Sequence, residues 1–214
     1  MDKQQREAIE QEIRRGFDAG DLEAATSAAL RGYGREFYSF LAAVHRDEAE
    51  AADVFSLLLE AIWRGLPGFG WQSSFRTWAY STARRLSLQH RREARRRAAR
   101  FAPWPEGSSL SGIAAQVRTE TQAALRTERR SRIAALRETL APADQELLML
   151  RVDRGLAWND LAQVLRAEAD VEPLAGEALK REAARLRKQF QSIKDKLYEL
   201  ARREGLYAPG RGER

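Results

Sequence analysis

The sequence predicts an all-α protein made of two small helical domains joined by a linker. Three observations carry that reading. Apolar residues recur at helical spacing along almost the whole chain, and no stretch sustains the period-2 alternation of a strand. Residues 101–118 interrupt the pattern with two prolines, two glycines and three serines, a linker composition. The length, 214 residues with 43% hydrophobic, allows a separate core in each half.

Taken in order, an amphipathic helix is expected over residues 3–16, ending near Gly16 and Gly20. A second runs from Leu22 to Val44, with a break expected near Gly32 and Gly34, since each glycine in a helix costs about 1 kcal/mol against alanine. Asp47 and Glu50 form a capping-box pattern that opens a helix to Arg64. The run Gly65-Leu66-Pro67-Gly68-Phe69-Gly70 ends it. Ser73 or Ser74 caps the next helix, which fades into an arginine run. Past the linker, helices are expected over 119–140, from Pro142, from Ala157 and from Leu174 to Arg203, with a loose tail after Gly205. The domains expected are therefore 1–100 and 119–207, a linker at 101–118 and a tail at 208–214.

Charge is distributed unevenly. Residues 1–60 hold seven basic and thirteen acidic side chains, whereas residues 61–102 hold ten arginines against Glu93 alone. Such a basic middle can replace counterions along a phosphate backbone, although a solvated charge run reads the same way. The lack of cysteine excludes disulfides, thiol catalysis and cysteine-ligated zinc. No run of about 18 apolar residues is present, and the first residues lack a signal-peptide core, so a cytoplasmic protein without membrane insertion is expected.

An enzyme is not expected. His45 and His90 lack metal-ligand spacing and read as surface residues near basic or exposed positions. Gly65-x-x-Gly68-x-Gly70 has no preceding strand and no following GK[ST], so it reads as a turn. Asp47 and Glu48 read as helix-start charges. No catalytic residue, metal or cofactor is expected.

Six large rings, Trp63, Phe69, Trp71, Phe75, Trp78 and Tyr80, fall within eighteen residues directly before the arginine run. Most are expected to be core. Phe69 and Trp71 lie in the glycine-flanked loop, where rings beside cations suit single-stranded nucleic acid, because each base offers a face for stacking.

The stretch Asp53-Val54-Phe55-Ser56, Ala61 to Phe69, then Ser73-Ser74-Phe75-Arg76-Thr77-Trp78-Ala79-Tyr80 and Ala83-Arg84 resembles regions 2.2 to 2.4 of ECF (extracytoplasmic function) sigma factors of the sigma-70 family. The resemblance implies docking of Asp53, Ser56, Leu57, Glu60 and Arg64 on the clamp helices of the largest subunit of core RNA polymerase. It implies that Phe69, Trp71, Ser73, Ser74, Arg76, Trp78, Arg84, Arg85, Gln89 and Arg92 read and melt the minus-ten element of promoter DNA. The chain departs from many relatives at Ser56-Leu57, where they carry Gln-Glu, and at Arg85, where they carry Asn. Leu57, Leu58 and Leu59 cannot all face one core on a helix, so one of them is expected on an intermolecular surface.

In the second half, Leu140 to Arg151 and Gly155 to Leu165 resemble the opening of sigma region 4 and the first helix of its helix-turn-helix. The following helix would enter the major groove at the minus-35 element. It carries Glu177, Lys180, Arg181, Ala184, Arg185, Arg187 and Lys188 on its outer side, with Leu179, Ala183, Leu186 and Phe190 inward. The connection through residues 166–173 is longer than such motifs need. The flap of the second-largest polymerase subunit and an anti-sigma factor are further candidate partners by resemblance. The alternatives are a helix-turn-helix regulator acting without polymerase and a helical protein–protein adaptor.

Overall fold

A computed structural model describes residues 1–94, 112, 115–118, 132–166 and 174–205. All regular structure among these is helical. The arginine run past residue 94, most of the linker, residues 119–131 of the helix expected over 119–140, the long connection at 167–173 and the tail lie outside the described residues. Contacts divide the chain into Met1–Leu125 with Gln163–Pro173, and Arg126–Ala162 with Leu174–Arg214.

The first unit is built on four helices: α1 (Lys3–Asp18), α2 (Leu22–His45), α3 (Glu48–Gly65) and α4 (Phe75–Ala94). Helix α2 is the hub, packing on α1, α3 and α4. Side chains start all four helices. The Asp2 carboxylate accepts from Gln5 N while the Gln5 side chain accepts from Asp2 N, a full capping box. Asp21 caps α2 through Ala24 N at 2.8 Å, and Asp47 caps α3 through Glu50 N at 2.8 Å. The serine choice before α4 falls to Ser74, whose Oγ accepts from Thr77 N at 3.0 Å.

Helix α2 runs unbroken through Gly32 and Gly34, contrary to the break expected there. Packing explains both residues. A Cβ on Gly32 would lie 2.5 Å from Ile9 Cγ2 of α1. One on Gly34 would lie 3.2 Å from Val117, in residues 115–118, which are helical although they fall in the expected linker. Gly16, inside α1, serves the same end, since its Cβ would meet Ala25 N at 2.7 Å. These glycines permit close approach of neighbouring segments and do not end helices.

Tyr33, Phe37, Tyr38, Phe40, Phe55, Phe75 and Tyr80 are fully buried. Phe37 and Phe40 meet Tyr80 edge to face at 5.1 and 5.3 Å, and Tyr38 meets Phe55 at 5.3 Å. Such pairs contribute about 0.5–1.5 kcal/mol each beyond their buried area.

The second unit contains α5 (Arg132–Glu138), α6 (Pro142–Leu148), which continues as a π-helical turn (Met149–Asp153), most of α7 (Trp158–Arg166), and α8 (Gly176–Arg203). Pro142 occupies the first turn of α6, where its missing N–H costs nothing. Leu147, Leu150, Leu156, Leu161, Ala183, Leu186 and Ile193 form the core. Asp144 is buried but satisfied, accepting from Gln189 Nε2 at 2.9 Å and Lys196 Nζ at 3.2 Å on α8. Trp158 packs edge to face on Phe190 at 5.6 Å, with Arg151 and Arg187 over its ring. No described helix is long and apolar enough to cross a membrane.

Candidate functional site

Helix α3 buries Ala51, Val54, Phe55, Leu58, Leu59 and Ile62 and leaves a continuous outer stripe. Leu58 and Leu59 are inside and Leu57 is half-exposed, which resolves the leucine triplet as helical geometry requires. Asp53, Ser56 and Glu60 share the half-exposed stripe, and Arg64 at its end bonds Glu60 at 2.7 Å. Trp63, expected in the core, is 38% exposed on this same stripe. The spacing Ser56, Glu60, Trp63 already placed it there, because residues three and four apart share a helix face.

The loop between α3 and α4 is more enclosed than its glycines suggest. Phe69 is buried, stacked on Trp78 at 4.9 Å and near Trp71 at 4.8 Å, so its ring is not free to receive a base. The short 3-10 turn Leu66–Gly68, closed by Phe69 N donating to Leu66 O, folds that ring inward. Trp71 is half-buried and held at φ 54°, a left-handed conformation that non-glycine residues rarely adopt. Phe17 meets its ring edge-on at 5.4 Å and Arg14 lies over it at 4.5 Å. Its Nε1 is buried without a hydrogen-bond partner. Together with Glu10, Gln11, Arg14 and Arg15, Trp71 lines an open cleft. Of the other loop residues, Ser73 is half-exposed and Ser74 exposed.

Arg76 departs from the sequence expectation of a cation beside the loop. It is buried and ion-paired to Glu36 of α2, with Nε donating to Oε1 at 2.8 Å. The same carboxylate oxygen accepts from Tyr80 OH at 2.8 Å. The backbone N–H groups of Phe75 and Arg76 donate to Glu10 of α1 at 2.8 and 3.0 Å, so a carboxylate from a distant helix caps α4. Tyr33 donates to Glu10 at 3.0 Å, and burial together with that carboxylate pushes its phenol well above the usual range. Nothing local in the sequence could have shown Glu10 or Glu36 as partners.

Farther along α4, Trp78 and Arg84 are half-buried, while Arg85, Gln89 and Arg92 are exposed at one-turn spacing. In the second unit, Glu177, Lys180, Arg181, Ala184, Arg185, Arg187 and Lys188 are all exposed on α8. Lys180 bonds Glu177 at 2.8 Å and Arg185 bonds Glu182 at 2.7 Å, exposed pairs that solvent screens. Leu179 and Phe190 are half-buried, and Ala183 and Leu186 are buried.

The two histidines, expected at the surface, are buried together where α2, α3 and α4 meet. His45 Nδ1 lies 3.2 Å from Glu50 Oε2 and its Nε2 lies 3.0 Å from Ser87 Oγ. The His90 ring sits 5.7 Å from that of His45, and its Nδ1 has no hydrogen-bond partner. Burial lowers the His45 pKa, opposed by the hydrogen bond to Glu50 and reinforced by Arg91 and His90.

Residues 29–97 match the family model of sigma-70 region 2. The match begins within α2 and runs through α3, the loop and α4 into the arginine run, leaving α1 outside it. Over these residues the chain is similar to sigma-70 region 2. No curated protein matches the sequence.

Proposed function

We propose that this chain is an ECF-type sigma factor that binds core RNA polymerase and directs promoter-specific initiation, and is not itself an enzyme. The observation that carries the reading is the region 2 match laid over α2 to α4. Within it, a half-apolar stripe of α3 and a cationic row of α4 lie on separate helices. The α3 stripe of Asp53, Ser56, Leu57, Glu60, Trp63 and Arg64 docks on the clamp helices of the largest subunit. A solvent-facing tryptophan and a half-exposed leucine on the one stripe support this, because interface energy concentrates in such anchors.

Arg85, Gln89 and Arg92 track the phosphates of the minus-ten strand, with Arg84 at their flank. Trp71, Ser73 and Ser74 form the base-receiving edge. Phe69, itself backed by Trp78, supports Trp71 from the core, and Arg76 positions α4 through Glu36. An extruded base needs a face to stack on, and among the loop rings Trp71 is the one that borders open space.

The second unit acts as region 4, docking on the flap of the second-largest subunit. Helix α8 then reads the minus-35 duplex through Lys180, Arg181, Arg185, Arg187 and Lys188, with Glu177 and Ala184 on the same exposed side. Two short helices ahead of a long basic one support that assignment. A cytoplasmic location and an anti-sigma partner follow from the same reading.

Run-off transcription with purified core polymerase and genomic fragments tests it. Promoter-dependent transcripts, with permanganate-reactive thymines upstream of the start, are expected. Duplex binding with no association with core polymerase would instead establish a regulator that acts alone.

A further inference from the structure

We propose that His45, Glu50 and His90 form a binding site for a divalent transition-metal ion, zinc first among them, which pins the end of α2 to the start of α3 and to α4. One nitrogen of each imidazole and one Glu50 carboxylate oxygen lie within 4.8 Å of one another. Zinc takes such ligands at about 2.0–2.2 Å, so a tetrahedral set stands roughly 3.3 Å apart. His45 Nδ1 and Glu50 Oε2 already stand 3.2 Å apart, so the contraction falls on the His90 ring, which turns or shifts toward them. Both imidazoles are buried, whereas the Glu50 side chain, already on His45, is 45% exposed and can follow that adjustment.

The surroundings favour an ion over a purely structural cluster. A buried polar nitrogen without a partner is destabilising, and His90 Nδ1 is in that state. Coordination at this cluster would relieve it directly or by reorienting the ring. His45 is buried beside Glu50, and an imidazole binds metals through a ring nitrogen that carries no proton. With the metal on Nδ1, the Nε2–H donates to Ser87 Oγ, the kind of outer hydrogen bond that fixes a ligand ring. Arg91 is the opposing charge, but its guanidinium donates to the Val44 carbonyl at the end of α2, and Glu50 supplies the balancing negative charge. Two imidazoles and one carboxylate suit zinc, nickel or copper and not magnesium or calcium. A fourth position is left for water.

The site is independent of the sigma reading, since it rests on the packing of three helices alone. It also gives a clean experiment, because these are the chain's two histidines and it has no cysteine. The chelator-stripped full-length protein is titrated with zinc chloride against a chromophoric competitor, and separately with cobalt(II). One equivalent should bind, with cobalt giving the visible absorption of a low-symmetry four-coordinate site, and Tm should rise. Glu50→Gln, which leaves the core untouched, should weaken binding by at least about tenfold, as outer-shell changes alone reach that range. His90→Gln should abolish it while circular dichroism confirms the helices. The proposal is overturned if no zinc binds at micromolar concentration. It is equally overturned if both variants bind as the parent does, which would place the ion on surface carboxylates, or if magnesium competes on equal terms.

Discussion

Replacing Arg76 with alanine separates a structural arginine from a DNA-binding one. Its side chain is 10% exposed and that of its partner Glu36 is 14% exposed, so the pair is shielded from water. Removing the guanidinium leaves the Glu36 carboxylate buried, with the Tyr80 hydroxyl still donating to it. Breaking a buried pair from one side costs about 3–5 kcal/mol, mostly through the stranded charge. The lost Arg76 packing against the Tyr80 ring, where the guanidinium lies 5.5 Å from the centroid, adds a smaller amount. A loss of that size lowers Tm by more than 10 °C for a domain of this length, at about 4–8 °C per kcal/mol. Urea titration followed by tryptophan fluorescence measures the loss. The double variant Arg76→Met with Glu36→Gln should recover much of it, since the stranded charge is gone. The DNA salt slope of the folded fraction should be unchanged. A stability loss under about 1 kcal/mol, together with a slope reduced by about one unit, would refute the structural assignment and return Arg76 to the DNA surface.

Phe69→Ala should cost about 3–5 kcal/mol of stability as a buried-ring deletion, whereas Trp71→Ala should cost less and lower open-complex yield by a stacking loss of about 1–3 kcal/mol; permanganate footprinting on duplex and pre-melted templates distinguishes the two. Trp63→Ala and Leu57→Asp should weaken binding to core polymerase, the former by about 2 kcal/mol or more, without changing helicity; unchanged affinity in a fluorescence titration would move the docking face elsewhere. Arg85→Ala and Arg92→Ala should each lower the salt dependence of promoter binding by about one unit, read from filter binding between low and moderate salt. Gly32→Val should lower Tm sharply, because its Cβ would start 2.5 Å from Ile9; a Tm within a degree of the parent would show that α1 can shift aside.

The sequence by itself determined what depends on neighbours along the chain. Helical period set the class, the carboxylate of Asp47 set one helix start and a serine, Ser73 or Ser74, another, and the triplet Leu57 to Leu59 forced one leucine outward. The row Arg85, Gln89, Arg92 and the exposed cations of α8 were equally legible, because position on a helix follows from spacing. Trp63 was legible too, but ring chemistry outweighed its position and suggested the core.

Tertiary structure alone decided the rest, because periodicity names a face and not what meets it. Arg76 finds Glu36 forty residues away, and the N–H groups of α4 find Glu10 more than sixty residues away. Gly32 is an open point in α2 only because Ile9 crosses there. Phe69 leaves its loop for the core because a short turn folds it under Trp78. His45 and His90, with no spacing that suggests a pair, are brought ring to ring by the packing of α2 against α4, where burial lowers the His45 pKa.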